Sequence, residues 1–151
     1  MPSLSLETPF GRVVLTETEG RITRLAWSVD AAEDGASPAL EEAAGQLIEY
    51  FDGRRTAFDL PVDPGAGAQA AFSAALMAIP FGETRTYGDL ARDLDLPAQA
   101  IGQMCGKNKV PILIPCHRVL AANGLGGFSA PGGIETKVAL LRHEGAASLL
   151  L

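Results

Sequence analysis

Thiols and imidazoles are the scarcest reactive side chains in this sequence. Its 151 residues hold two cysteines, Cys105 and Cys116, and two histidines, His117 and His143. There is no Cys-x-x-Cys pair, so neither a disulfide framework nor a thiolate zinc site is expected. The four residues together lack the usual metal-ligand spacing, and the expected metal content is none. Long apolar runs are missing too: nothing approaches the roughly 20 residues of a membrane span. The opening MPSLSLETPFGR has no basic segment leading a hydrophobic one, so a cytoplasmic protein without membrane contact is expected. Cations are outnumbered, 12 Lys and Arg against 18 Asp and Glu, for a net charge of −6. On its face that total argues against a nucleic-acid partner.

What remains is the makeup of a folded globular chain, 47% hydrophobic and 20% charged. The length suits one large domain or two small ones. The charge is uneven, however. Residues 1–71 hold 12 acids and 5 bases, whereas residues 72–151 hold 6 acids and 7 bases. A polyanion would therefore meet the second half, because phosphate binding follows local cations more than the total. A solvated acidic surface accounts for the first half equally well.

Segments 12–18 (RVVLTET) and 21–27 (RITRLAW) read as strands joined by a tight Glu19-Gly20 turn. Ser37 can cap a helix that Pro38 opens and Gly53 ends, with Leu40, Ala44, Leu47, Ile48 and Phe51 at helical spacing. AFDL, 57–60, is a short strand candidate. Two prolines and two glycines in PVDPGAGA, 61–68, mark a boundary, which gives an N-terminal α/β domain over 1–66 and a second domain over 67–151. Residues 69–79 read as a helix with Phe72, Leu76 and Ile79 on one face. A Thr86/Asp89 capping pattern opens a short helix, and Pro97 opens another over about 98–106. Two short helices so placed satisfy a helix-turn-helix, although helical hairpins are common. VPILI, 110–114, reads as a buried strand, and IETKVALLRHE, 134–144, as a last helix closed by Gly145. There is no internal repeat and no exposed apolar repeat, so a monomer is expected.

The chemically distinctive stretch is ILIPCHRVLAANG, 112–124, where Cys116 stands beside His117 and Arg118. A thiol attacks only as thiolate, and a nearby imidazole or cation favours that form. Neighbouring side chains on an extended segment face opposite ways, so a bridging water or a kink at Pro115 would have to link Cys116 to His117. The imidazole needs an orienting carboxylate, for which Glu144 is the candidate. By chemistry alone, Cys116 reads equally as a reactive thiol and as a buried inert cysteine. Arg142 and His143 read as favourable charges at a helix C-terminus, Cys105 as core, and GLGGF as no phosphate loop, since the Gly-Lys-Ser/Thr element is missing.

IPCHRV (114–119), the glycine-rich loop after it and LLRHEG (140–145) resemble the alkylguanine-DNA alkyltransferase family, the methylated-DNA–protein-cysteine methyltransferases. The likeness runs upstream through IPFGETRTYGDLA (79–91) and, more weakly, QLIEYFDGRRTAFDLP (46–61), and so covers most of the chain. It implies an α+β protein: an N-terminal ribonuclease-H-like α/β domain, then a mostly helical C-terminal domain with a winged-helix-like helix-turn-helix. It also implies direct-reversal repair of double-stranded DNA approached from the minor groove. The lesion, O6-alkylguanine with O4-alkylthymine as an open second substrate, would be flipped out, because its target atom is unreachable in a stacked duplex. The alkyl group would pass irreversibly to Cys116, with no dissociable cofactor.

By the same resemblance, His117, held by Glu144, would deprotonate Cys116 through a water, and Asn108 would stabilise the turn under the site. Tyr87 would protonate guanine N3 and help rotate the nucleotide. Ser129 would bond near O6, and the carbonyls of Cys116 and Val119 would read the exocyclic amine. Gln99, Ala100, Gly102 and Phe128 would complete the DNA-facing set, with Arg118 divided between that role and a structural ion pair. The sequence departs from the family pattern at several points. Gln99-Ala100-Ile101-Gly102 stands where the family presents Arg-Ala-Val-Gly, so a hydrogen-bonding amide replaces a planar charged fork. The segment from Tyr87 to Gly102 is about two residues shorter, Phe128 replaces a common tyrosine, and the SAPGG loop is slightly longer. Preserved transfer with altered DNA affinity or lesion preference is the expectation. Two other readings stay open: an adaptor that binds alkylated bases without turnover, and a thiol enzyme or redox switch not acting on DNA.

Overall fold

The structure is a computed structural model that describes residues 2–29, 35–121, 124 and 133–146. The chain forms two compact units, Met1–Asp63 and Pro64–Leu151.

The first unit is a three-stranded antiparallel sheet carrying one helix. Its strands are β1 (Ser3–Thr8), β2 (Gly11–Thr18) and β3 (Arg21–Trp27), in the order β1-β2-β3. Thr18 pairs with Arg21 across a two-residue loop in which Glu19 and Gly20 both take positive φ, 51° and 81°. Such loops match the twist of the strands they join. Strand β1 escaped the sequence reading, although SLSLET alternates as a half-buried strand should. Leu4 and Leu6 pair with Leu15 and Val13 and so share their face. Helix α1 (Pro38–Phe51) starts where Ser37 Oγ accepts from Leu40 N at 3.2 Å. It buries Leu40, Ala43, Leu47 and Tyr50.

AFDL is not a strand. The side chain of Gln46 accepts from Asp59 N at 2.9 Å and donates to Asp59 O at 3.1 Å. A buried amide thus takes the backbone groups that a neighbouring strand would have used. Contact with the sheet comes later, where Val62 bridges Ile22 in parallel.

The second unit is mostly helical. It contains α2 (Ala68–Met77), β4 (Arg85–Thr86), α3 (Tyr87–Leu94), α4 (Ala98–Gly106), β5 (Val119–Leu120) and α5 (Ile134–His143), with β4 parallel to β5. Helices α3 and α4 form the helix-turn-helix. Thr86 Oγ1 accepts from Asp89 N and Asp89 Oδ2 from Thr86 N, each at 3.0 Å, which completes a capping box. Helix α2 stops at Met77, leaving the carbonyl of Ile79 outside the helical ladder. None of the helices among the described residues is long and apolar enough to cross a membrane.

VPILI is not a strand either. Val110, Ile112, Leu113 and Ile114 are all buried, but in a tight loop in which Ile114 N bonds Val110 O at 2.9 Å and Pro111 bridges Ile114. Ile112 has φ +74°, which is rare for a β-branched residue and costs on the order of 1–3 kcal/mol. Cys116 therefore does not end a strand. It opens a 3₁₀ turn, Cys116–Arg118. The glycine-rich stretch 125–132, with Phe128 and Ser129, lies outside the described residues.

Candidate active site

The 3₁₀ turn determines how Cys116, His117 and Arg118 diverge. Arg118 N bonds Pro115 O at 3.0 Å and Cys116 N bonds Ile114 O at 2.8 Å. At about three residues per turn, successive side chains point roughly a third of a circle apart, not to two opposite faces. All three are buried: Cys116 is 5% exposed, His117 0% and Arg118 6%.

Glu144, the C-cap of α5 and 4% exposed, links two of them. Its Oε2 lies 2.8 Å from His117 Nε2, and Arg118 donates from Nε to Oε1 at 2.8 Å and from Nη2 to Oε2 at 2.9 Å. Arg118 Nη1 donates to Ile79 O at 2.7 Å, the carbonyl left free where α2 stops. Gly82 permits this arrangement. It sits at φ +86°, and a Cβ there would stand 3.2 Å from the carbonyl of Glu144.

Burial pushes the His117 pKa down, Glu144 opposes that shift, and the positive charges of Arg118 and Lys137 add to it. The resting imidazole is therefore neutral. An ionised carboxylate can only accept, so the Nε2 proton points at Glu144 and the lone pair falls on Nδ1. Nδ1 is buried and has no hydrogen-bond partner among the described residues. It is a base available for a proton.

Burial likewise pushes the Cys116 thiol up, opposed by a hydrogen bond to the Asn108 side chain and by the charge of Lys137. The resting sulfur is a thiol. Asn108 also ties the strained loop together, donating from Nδ2 to Ile114 O at 2.8 Å and accepting from Val110 N at 3.0 Å. One side chain thus fixes the loop and favours the anionic form of the sulfur. Cys105, half-buried on α4, is pushed up to about 12, mainly by burial.

Lys137 escaped the sequence reading. It is 0% exposed, donates from Nζ to Val119 O at 2.6 Å and stands 5.9 Å from the centroid of the Tyr87 ring. The signal was present: Lys137 shares a helical face with Leu140, Leu141 and Glu144, at spacings of three, four and seven. A lysine on an apolar stripe reads easily as an interruption.

The other expected residues divide. Val119 is buried on β5 and Tyr87 opens α3 half-buried. Gln99 and Gly102 are exposed on α4, with Ala100 half-buried between them, and a Cβ at Gly102 would meet nothing within 4 Å. Of the two roles open to Arg118, the structure favours the structural ion pair: its guanidinium is buried and spent on Glu144 and Ile79. Among the described residues no group of three His, Cys, Asp or Glu side chains could hold a metal.

Comparison with known proteins fits this geometry. Residues 4–64 match the ribonuclease-like domain, and residues 67–146 the DNA binding domain, of 6-O-methylguanine DNA methyltransferase. The chain belongs to the 6-O-methylguanine DNA methyltransferase family. It is 39% identical, over 91% of its length and 92% of the relative's, to the constitutive methylated-DNA–protein-cysteine methyltransferase of Bacillus subtilis (strain 168). A crystal structure of Mycobacterium tuberculosis O6-methylguanine methyltransferase has a TM-score of 0.82 and 34% identity, covering 96% of this chain and 93% of that one. Mycobacterium tuberculosis OGT in complex with DNA has the same TM-score and 36% identity, covering 95% and 92%. In this methyltransferase-family chain the ribonuclease-like match spans β1 to α1, and the DNA-binding match spans α2 to α5 with the whole buried relay.

Proposed function

We propose that the chain repairs alkylated DNA by direct reversal, moving the alkyl group of O6-alkylguanine irreversibly onto Cys116. The supporting observation is the buried relay Arg118–Glu144–His117, which leaves a neutral imidazole with an accepting Nδ1 next in sequence to a protonated thiol.

Nδ1 takes the Sγ proton through a water. The thiolate attacks the alkyl carbon, a carbon–sulfur bond forms, and the carbon–O6 bond breaks with its electron pair leaving on O6. Tyr87 donates a proton to N3 of the departing guanine and regains one from solvent, and the imidazolium returns its proton to solvent. Asn108 and the Lys137 charge stabilise the sulfur while it is anionic. The carbonyls of Cys116 and Val119 read the exocyclic amine.

Double-stranded DNA enters by its minor groove against α4, with Gln99 filling the space of the extruded base. Ala100 and Gly102 allow close approach there. The protein acts as a cytoplasmic monomer without a cofactor.

The test is the intact mass of the chain after incubation with duplex DNA containing O6-methylguanine. A gain of one methyl group per molecule, mapped to Cys116 and abolished in Cys116→Ser, is expected. Binding without a mass gain would favour a non-transferring adaptor, and a gain mapped to Cys105 would move the acceptor to α4.

A further inference from the structure

The second unit has a DNA-binding match but little cationic charge to spare. Residues 72–151 hold seven Lys and Arg against six acids, and most of those cations are already engaged. Arg118 is spent on Glu144 inside the unit, and buried Lys137 on Val119 O. On the surface, Arg85 reaches Asp93 at 2.9 Å and Asp89 at 3.5 Å, while Arg92 reaches Asp89 at 2.7 Å. The first helix of the helix-turn-helix is therefore electrically self-satisfied.

Lys107 and Lys109 differ. Both are exposed, and neither makes an ion pair among the described residues. They flank Asn108 at the end of α4. This turn is firmly built: Lys107 N bonds the carbonyls of Gln103 and Met104, each at 3.1 Å, and Asn108 N bonds Cys105 O at 3.2 Å. Between the two lysines, Asn108 is tied to Ile114 and Val110, the loop that leads into Cys116.

We infer that Lys107 and Lys109 are the phosphate anchor of this protein, gripping the backbone of the DNA that α4 engages. The inference rests on the function proposed above. It adds a mechanical consequence: the grip is one residue on either side of the side chain that holds the acceptor loop. Phosphate contact therefore fixes the register of the duplex relative to the sulfur, as phosphate contacts do in general. The anchor also puts positive charge at the end of α4 opposite Gln99, which carries none.

Each phosphate neutralised contributes about −0.9 to the slope of log K against log salt. Between about 50 and 200 mM salt, two such contacts correspond to a loss of affinity of about 12-fold. The experiment measures binding of an unmodified fluorescent duplex across that range by anisotropy. Lys107→Ala and Lys109→Ala should each reduce the slope by about 1, and the double variant by about 2. Lys→Arg at both positions should keep the slope, and Arg21→Ala on the first unit should leave it unchanged. A double variant with the wild-type slope overturns the inference, because the lysines then serve only the carbonyl end of α4. A slope change that follows Arg142→Ala instead overturns it as well. Methyl transfer to the wild-type chain from O6-methylguanine DNA, read by mass in parallel, separates the two claims. If the wild type transfers and the double variant keeps its slope, only the lysine assignment falls. If the wild type neither binds nor transfers, the proposed function falls with it.

Discussion

Glu144 can be removed in two ways that separate folding from chemistry. Glu144→Gln leaves the buried Arg118 guanidinium with a carbonyl from Ile79 and no opposite charge. Orphaning one member of a buried pair costs about 3–5 kcal/mol. Arg118→Met orphans the carboxylate and should cost a similar amount. If the two acted independently, the double variant would lose about 6–10 kcal/mol, the whole stability of many domains. The structure predicts otherwise. With both charges gone, methionine fills the guanidinium stem's volume, and the amide introduced at position 144 still accepts the His117 Nε2 proton. The remaining cost is two buried polar groups without partners, the Ile79 carbonyl and the N–H₂ of the new amide, about 1–3 kcal/mol each. The double variant should therefore lose clearly less than the sum of the two single costs. Transfer should not recover with it. A neutral amide cannot offset the imidazolium charge that forms when His117 takes the thiol proton, so Glu144→Gln and the double variant should both lose about 10²–10⁴ in single-turnover rate. Trp27, the only tryptophan, lies in the first unit, so the readout is taken within the second unit itself. Amide exchange along α5 in mild denaturant supplies it. A double variant that loses the sum of the two single costs would refute the coupling. One that recovers transfer together with stability would refute the role of the carboxylate.

Stability should also fall on acidification through His117. Its folded-state pKa is lowered, so below about pH 6.5 the unfolded chain takes up a proton that the native chain refuses, and stability falls by up to about 1.4 kcal/mol per pH unit. Denaturant titrations at several pH values should show this slope in the wild type and a shallower one in His117→Gln; equal slopes would refute it. Asn108→Ala should orphan Val110 N and Ile114 O in a buried loop, costing about 1–3 kcal/mol for each, and should slow alkylation of Cys116 as read by mass. Wild-type stability and rate would refute the clamp. Gln99→Ala should reduce transfer from duplex DNA far more than transfer from free O6-alkylguanine, and equal effects on both substrates would remove Gln99 from base extrusion.

Much of the fold was legible because local chemistry agreed with the final structure. Glu19-Gly20 suits a two-residue loop, Ser37-Pro38 starts α1, and Thr86 with Asp89 starts α3; in each case the stabilising contact lies within three residues. The failures are long-range. AFDL and VPILI are both apolar enough for strands, and periodicity cannot tell a paired run from one merely buried. What overrides them is a distant side chain supplying the backbone partners, Gln46 for Asp59 and Asn108 for the loop around Ile112. The site follows the same division. Cys116 and His117 stand out as a rare pair in sequence, but their divergence depends on a 3₁₀ turn whose cause lies outside the motif. The imidazole's need for an orienting carboxylate pointed to Glu144, and the family likeness supplied Asn108. Neither the likeness nor the spacing showed that Arg118 turns inward or that Lys137 sits against Tyr87 and Val119.

The buried charges explain why burying a nucleophile, normally a disadvantage, suits a protein that reacts once. An exposed, low-pKa thiolate would be oxidised or alkylated adventitiously, and each such event would waste a whole molecule. Here burial keeps both partners neutral at rest, sulfur as thiol and His117 as imidazole. Moving the proton between them creates a thiolate–imidazolium pair, and every group that favours the pair is already in place: Glu144 behind the imidazole, Asn108 and Lys137 beside the sulfur. The barrier to ionisation is therefore set by burial, and its reduction by fixed dipoles that need not reorganise. A lesion that brings the alkyl carbon to the sulfur consumes the thiolate as it forms, so the protein can remain unreactive until the right base arrives.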